Sequence, residues 1–345
     1  MDNKKVARWM FWLAGLAAVM VVLGGLVRLT QSGLSMTDWD VLMGIIPPMT
    51  EQGWQQEFEQ YKQFPEYKLV NRGMELSEFK FIFYMEYLHR MLGRVIGLVY
   101  FIPLVIFWRR GTIPREQRPA FLGIGVLLLF QGLFGWYMVK SGLVDRPHVS
   151  HFRLTGHLLL AMAFIAATLW MGMRWLYDQA ESAERVFSAQ AAKATRIFLW
   201  ILIGQVALGG LVAGLKAGAV SPTFPLMHGT WIPPLAWSFE PWYMNFFENP
   251  VMVHFLHRWN AFVVLFFAFY LVRLLYREQH FELIKMPVIV LSVLINLQLL
   301  LGIFTVLMKV PVALASLHQA VALLLFVFTI ILRYSVRAEN TVSVK

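Results

Sequence analysis

Apolar residues fall along this chain in long uninterrupted runs, not in the alternating or helix-face stripes of half-buried soluble elements. A bilayer core about 30 Å thick is crossed by roughly 20 residues of helix rising about 1.5 Å each, so length alone tests every run. Eight runs pass, near residues 9 to 29, 81 to 108, 120 to 139, 152 to 174, 196 to 215, 251 to 273, 286 to 308 and 312 to 333. The pattern predicts an all-α integral membrane protein with eight transmembrane helices. Between the first two runs lies a long polar segment from about 30 to 80, where Trp54, Phe58 and Tyr61 recur at helical spacing among Pro47, Pro48 and Pro65. That spacing predicts a short amphipathic helix, resting on the bilayer or capping the helices beside it.

The runs repeat. Glu86-Tyr87-Leu88-His89-Arg90 resembles His254-Phe255-Leu256-His257-Arg258. Gln131-Gly132-Leu133-Phe134-Gly135 resembles Gln298-Leu299-Leu300-Leu301-Gly302, and Gly24-Gly25-Leu26-Val27 resembles Gly209-Gly210-Leu211-Val212. The matches occur in one order, and an even number of spans per half makes a parallel repeat about an axis along the membrane normal. The expected architecture is two pseudo-symmetric four-helix bundles, residues 1–175 and 196–345, joined by a polar cytoplasmic linker at 176–195.

Composition agrees: of 345 residues, 58% are hydrophobic and 14% charged. The formal charge of +10 does not point to nucleic acid, because the cations sit in short segments between spans and form no patch. The positive-inside rule accounts for them. Lys4, Lys5, Arg8, Arg109, Arg110, Arg174, Arg185, Lys193, Arg273, Arg277, Arg333 and Arg337 fall on one side when loops alternate, while Glu51, Glu57, Glu59, Glu66, Glu75 and Glu78 share a loop of the other. Both termini are therefore expected in the cytoplasm, with the chain multi-pass in the bilayer of a bacterial plasma membrane. The first run is too long for a signal core and is expected to be retained. Without cysteine there is no disulfide, thiolate haem ligation, cysteine-held cluster or thiol catalysis.

Of nine histidines, His89, His157, His257 and His318 lie inside apolar runs two, four, six and eight. Counted from the expected helix starts, each lies five to eight residues in, which implies one shared depth. Two imidazoles at one height on parallel helices can face each other across a bundle, as the axial ligands of one haem do. Hydrogen-bonded core histidines are the plain alternative, and zinc the rival metal, although one histidine from each of two helices leaves a closed zinc site short of ligands. His148, His151 and His228 fit rim or surface packing, and His280 a cytoplasmic loop. His254 precedes His257 by one turn and occupies the position matching Glu86.

Glu86 is the acid placed clearly within a span, where a charge costs about 2.5 to 3.5 kcal/mol and calls for a partner or a task. It shares a helix face with His89. It suits proton transfer beside a haem edge, or an ion pair with Arg90, Arg94 or a rim cation. Its absence from the second half suggests one working and one supporting site. Arg90, Arg94 and Arg258 suit haem propionates or support of the site.

Several stretches resemble the haem A synthase family, in its alphaproteobacterial and mitochondrial-like class without a loop cysteine pair. They are GGLVRLTQSGLSMTDW from Gly24, QFPEYK from Gln63, EFKFIFYMEYLHRMLGRVIG from Glu78, QGLFGWYMVKSG from Gln131, WIPP from Trp231, FENP from Phe247 and LASLHQ from Leu314. The resemblance implies oxidation of the C8 methyl group of haem O to the formyl group of haem A, needed by cytochrome oxidase. It implies haem b on His257 and His318, the substrate haem against His89 and His157, and catalysis by Glu86. A partnership with the farnesyltransferase that makes haem O, and an unknown electron acceptor, follow only from the resemblance. An iron with histidine on both faces has no place for oxygen, so either a ligand leaves or water supplies the oxygen while electrons are withdrawn. A dihaem b-type electron-transfer protein oxidising quinol is the competing reading, and a haem carrier the third. Unequal halves and histidines at one depth weigh against the quinol reading.

Overall fold

A computed structural model of the chain describes residues 2–36, 45–144, 149–177 and 187–337. Eight helices are long and apolar enough to cross a membrane. They are α1 (Asp2–Leu29), α4 (Leu76–Arg109), α5 (Arg118–Val144), α6 (His151–Tyr177), α7 (Ala189–Gly214), α9 (Pro250–Leu275), α10 (Phe281–Leu307) and α11 (Val312–Ser335). Three short helices lie in the loops, α2 (Glu51–Tyr61), α3 (Pro65–Leu69) and α8 (Asn245–Glu248). No strand forms among the described residues; Met227 and Thr230 make an isolated bridge. Part of the expected linker (178–186), His148 and the Thr37-Asp38-Trp39 end of the first motif lie outside the described residues.

One departure from the expected spans, the early start of α4, changes the position of a histidine. The apolar run begins near 81, but the helix begins at Leu76, because Glu75 and Glu78 form a capping box in which the Glu75 amide donates to Glu78 Oε2 at 2.9 Å. Polar capping thus adds more than a turn that hydropathy does not register. His89 consequently sits about three and a half turns into its helix. The expectation that all four histidines lie five to eight residues from their helix starts fails for this one, and a shared depth no longer follows from counting.

The chain forms two compact units, one of residues Trp12–Phe164 and one of Met1–Phe11 with Ile165–Lys345. Within the second, α7 packs on α9 and α11, and α10 packs on α9 and α11, which closes a ring of four helices. Within the first, α1 meets α4 through Gly24 and His89, α4 meets α5 through Tyr100 and Gly125, and α5 meets α6 through Phe134 and Gly156.

Residues 50–71, before α4, form a cap. Thr50 caps α2 by accepting from the Gly53 amide at 3.1 Å, and Trp54, Phe58 and Tyr61 are all buried. Phe58 and Tyr61 stack on Phe79 with ring centres 5.0 and 5.1 Å apart, and Trp54 meets Phe83 edge-on at 5.1 Å. Of the two placements the spacing allowed, α2 therefore packs on the head of α4. Asn71 donates to the Tyr61 hydroxyl at 2.7 Å. Burial, and then the Glu66 carboxylate, push the Tyr61 phenol pKa up, so the hydroxyl keeps the proton it offers Glu66.

The long loop before α9 is held by two buried asparagines. Asn249 caps α9 through the Val251 amide at 2.9 Å and donates to the carbonyls of Leu235 and Ala236. Asn245 donates to the carbonyls of Phe239 and Trp242. Asn249 of the FENP stretch thus holds the two residues that follow WIPP, with Pro250 in the first turn of α9, where its missing N–H costs nothing. Removing the central ring of the α2 contact, Phe58→Ala, should destabilise the cap by about 3 kcal/mol. Hydrogen exchange checks this: amides of Glu51–Tyr61 should lose protection while those of α10 and α11 keep theirs.

Candidate functional site

Each of the four span histidines sits against a glycine of a neighbouring helix. A methyl group added at Gly24 would lie 3.0 Å from His89 Nε2, and one at Gly135 3.0 Å from His157 Cε1. In the other unit, a methyl at Gly209 would lie 3.3 Å from His257 Cε1, and one at Gly302 3.0 Å from His318 Cε1. Gly24 and Gly209 are repeat partners, as are Gly135 and Gly302. The sequence had offered these glycines only as marks of the repeat. Their physical task is to leave room for a ring where any side chain would displace it.

The rings are partnered by glutamines that carry no assignment from sequence. Gln131 Nε2 lies 3.3 Å from His157 Nε2 and donates to the His157 carbonyl at 3.1 Å. Gln298 Nε2 lies 3.3 Å from His318 Nε2. Gln205 Nε2 lies 3.2 Å from His257 Nδ1 and donates to the His257 carbonyl at 3.1 Å. A glutamine inside an apolar run is the sequence signal that would have found all three.

His257 and His318 face each other, with ring centres 6.5 Å apart and planes at 79°. A metal binding one nitrogen of each ring at about 2 Å separates the ring centres by roughly 6 Å, so the pair has the spacing an iron between them needs. His89 and His157 are close enough to interact electrostatically. All four rings lie deep among the helices, yet each residue keeps part of its surface accessible. Both units also leave the same atoms wanting. Among the described residues, His157 Nδ1, Gln131 Oε1, His318 Nδ1 and Gln298 Oε1 are buried without a hydrogen-bond partner. Such atoms cost about 1–3 kcal/mol each when left so. Imidazoles that face each other across a gap, with ring and amide atoms left without partners, fit an iron porphyrin. No group of three or more histidine, aspartate or glutamate side chains among the described residues could hold a bare metal ion.

At the head of α4, Glu86 is only 3% exposed and both its oxygens are engaged. Oε2 accepts from the Ser35 hydroxyl at 2.8 Å and the Met36 amide at 2.9 Å. Oε1 accepts from Arg90 Nε at 3.1 Å and pairs with Arg90 Nη2 at 2.5 Å. Arg90 Nη2 donates to the Met36 carbonyl as well, at 3.0 Å. Of the roles open to Glu86, the ion pair with Arg90 is present. It binds the turn that follows α1 onto α4, and Ser35 and Met36 are partners that sequence proximity does not suggest.

The second unit repeats the clamp without the acid. Arg258 Nε donates to His254 Nε2 at 3.1 Å, and Arg258 Nη2 and Nη1 donate to the carbonyls of Ser221 at 2.7 Å and Thr223 at 2.8 Å. Ser221 stands as far after Gly209 as Met36 stands after Gly24, so the two arginines grip matched loop positions. His254 is buried, at 2% exposure. Arg94 contacts Met91 Sδ at 3.4 Å. His228 is exposed with a left-handed backbone, while His151 and His280 are half-buried.

A family described as cytochrome oxidase assembly protein, COX15-CtaA, matches residues 7–330. The chain belongs to this family. Among its relatives, Heme A synthase of Nitrosospira multiformis is 47% identical over 257 residues, covering 74% of this chain and 72% of the relative. Heme A synthase COX15 of Mus musculus is 41% identical over 328 residues, and that of Homo sapiens 41% over 318, each alignment covering 89% of this chain and 76% of the relative. The histidine pairs and the Glu86 clamp all fall inside the region the family matches.

Because the Glu86–Arg90 pair is nearly closed to solvent, removing one partner strands the other. Arg90→Met should lower stability by about 3–5 kcal/mol, read as a drop in Tm in detergent. An unchanged Tm would show that the pair and its loop contacts contribute nothing.

Proposed function

We propose that this chain is a haem A synthase, an oxidoreductase that converts the C8 methyl group of haem O to the formyl group of haem A for cytochrome oxidase assembly. The observation that carries the reading is the facing His257–His318 pair, at 6.5 Å between ring centres, in a member of a family whose relatives are named Heme A synthase. Those names lend nothing to a dihaem quinol-oxidising protein.

In this reading the halves, 1–175 and 196–345, are pseudo-symmetric four-helix bundles. The matched glycine, glutamine and arginine contacts support that arrangement. His257 and His318 hold haem b, which when bound supplies electron transfer. His89 and His157 receive haem O, the substrate. Glu86 is the residue assigned to catalysis. Ser35, Met36 and Arg90 hold its carboxylate in place one turn from His89. Arg90 and Arg258 are committed to loop carbonyls, so support of the site is their role, and Arg94 is assigned to a propionate. The distribution of cations favours both termini on the cytoplasmic side, and the membrane is read as a bacterial plasma membrane. Delivery of haem O by its farnesyltransferase, and passage of electrons to a separate acceptor, complete the proposal.

The test is chromatography of extracted haems from cells supplied with haem O, alongside the visible spectrum of the purified chain. The wild type should yield haem A, and Glu86→Ala should yield none while keeping the haem b spectrum. Failure of the wild type to make haem A from available haem O would overturn the activity. Normal haem A output from Glu86→Ala would remove Glu86 from the mechanism.

A further inference from the structure

The two units differ in how they hold the first histidine of each pair. His257 is supported by a chain of amides: Gln205 lies against its Nδ1 edge at 3.2 Å and its carbonyl at 3.1 Å, and Asn260 Nδ2 donates to Gln205 Oε1 at 2.9 Å. The relation that carries Gly209 to Gly24 carries Gln205 to Met20. The relation that carries His257 to His89 carries Asn260 to Leu92. Where the second unit has two amides, the first therefore has a thioether and an aliphatic chain. Met20 packs near the backbone of α4, where a methyl at Gly93 would lie 3.3 Å from its Cε. The other two histidines differ from His89 in the same way, since Gln131 and Gln298 stand beside His157 and His318.

A ligated imidazole that binds iron through Nε2 turns Nδ1–H away from the metal. A partner on that nitrogen fixes the tautomer and ring orientation and strengthens the donor, and its loss typically costs about 10- to 100-fold in metal affinity. Turning the Gln205 and Asn260 amides end for end keeps their mutual hydrogen bond and points the Gln205 oxygen at such an N–H, in exchange for the bond that Gln205 donates to the His257 carbonyl. A glycine notch without such a partner, which is what His89 has among the described residues, locates the ring without strengthening it.

We propose that Gln205, backed by Asn260, is the positioning residue that makes His257 a permanent haem ligand, and that Met20 at the matching place leaves His89 free to release its haem. The inference rests on the assignment of His257 and His89 as ligands made above. It gives a physical basis for a division of labour that an enzyme acting on a haem requires. One porphyrin stays bound while the other enters as substrate and leaves as product.

The experiment uses the purified full chain carrying haem b, with apomyoglobin as haem acceptor to read dissociation and spectroelectrochemistry to read the midpoint potential. Gln205→Met should speed haem b loss by about 10-fold or more. It should also raise the midpoint, because a weaker imidazole donor stabilises ferric iron less. Gln205→Glu, which keeps an acceptor, should restore slow loss and bring the midpoint back down. Met20→Gln should slow the release of haem O loaded into the first unit by a comparable factor. Should Gln205→Met fail to accumulate, Asn260→Leu carries the same expected directions. Wild-type dissociation and midpoint in the Gln205 or Asn260 variant would overturn the proposal. A haem b spectrum that survives His257→Ala would overturn the ligand assignment instead, so the two failures are distinguishable.

Discussion

A polar ring inside an apolar span has to be given room, and most often a partner, and the architecture of this protein makes that room four times and supplies the partner three times. Gly24, Gly135, Gly209 and Gly302 supply the room: a side chain at any of them would press on the ring at 3.0 to 3.3 Å. Glutamines supply partners for His157, His257 and His318. An imidazole in hydrocarbon without such partners would bear a desolvation cost of a few kcal/mol. Glycine on one helix and histidine on the next thus define which helix faces touch.

The same logic operates at the heads of α4 and α9. A carboxylate within a span is tolerated because Glu86 receives hydrogen bonds from Ser35, Met36 and Arg90, and Arg90 in turn holds the carbonyl of Met36. Arg258 performs the loop-holding half of this task with a neutral partner, His254. Each arginine thereby ties the loop leaving the first helix of its half to the helix that bears the first histidine. Loop and ligand helix are coupled, and the half that contains the acid is the one proposed to perform chemistry.

Duplication creates equivalent positions, and function resides in where they diverge. Glu86 stands in one half where the other has His254. Met20 stands in that same half where the other has Gln205 beside its first histidine. The glycine notch and the arginine clamp are retained in each copy.

Much of this protein could be read from composition and order. Eight apolar runs became eight long helices, since hydrocarbon forces each backbone to satisfy itself. The histidines in spans two, four, six and eight were legible as polar residues that needed a reason, and Trp54, Phe58 and Tyr61 as one buried face. Other features were decided in space. The start of α4 depends on the Glu75–Glu78 cap, which hydropathy does not weigh. The partners of Glu86 come from Ser35 and Met36, about fifty residues away, and those of His257 from Gln205, at a similar remove. A hydrogen bond acts over about 3 Å, so which distant residue satisfies a buried group is settled only when the helices pack. The sequence alone determined that polar rings would lie within the membrane; the tertiary structure decided what each would touch.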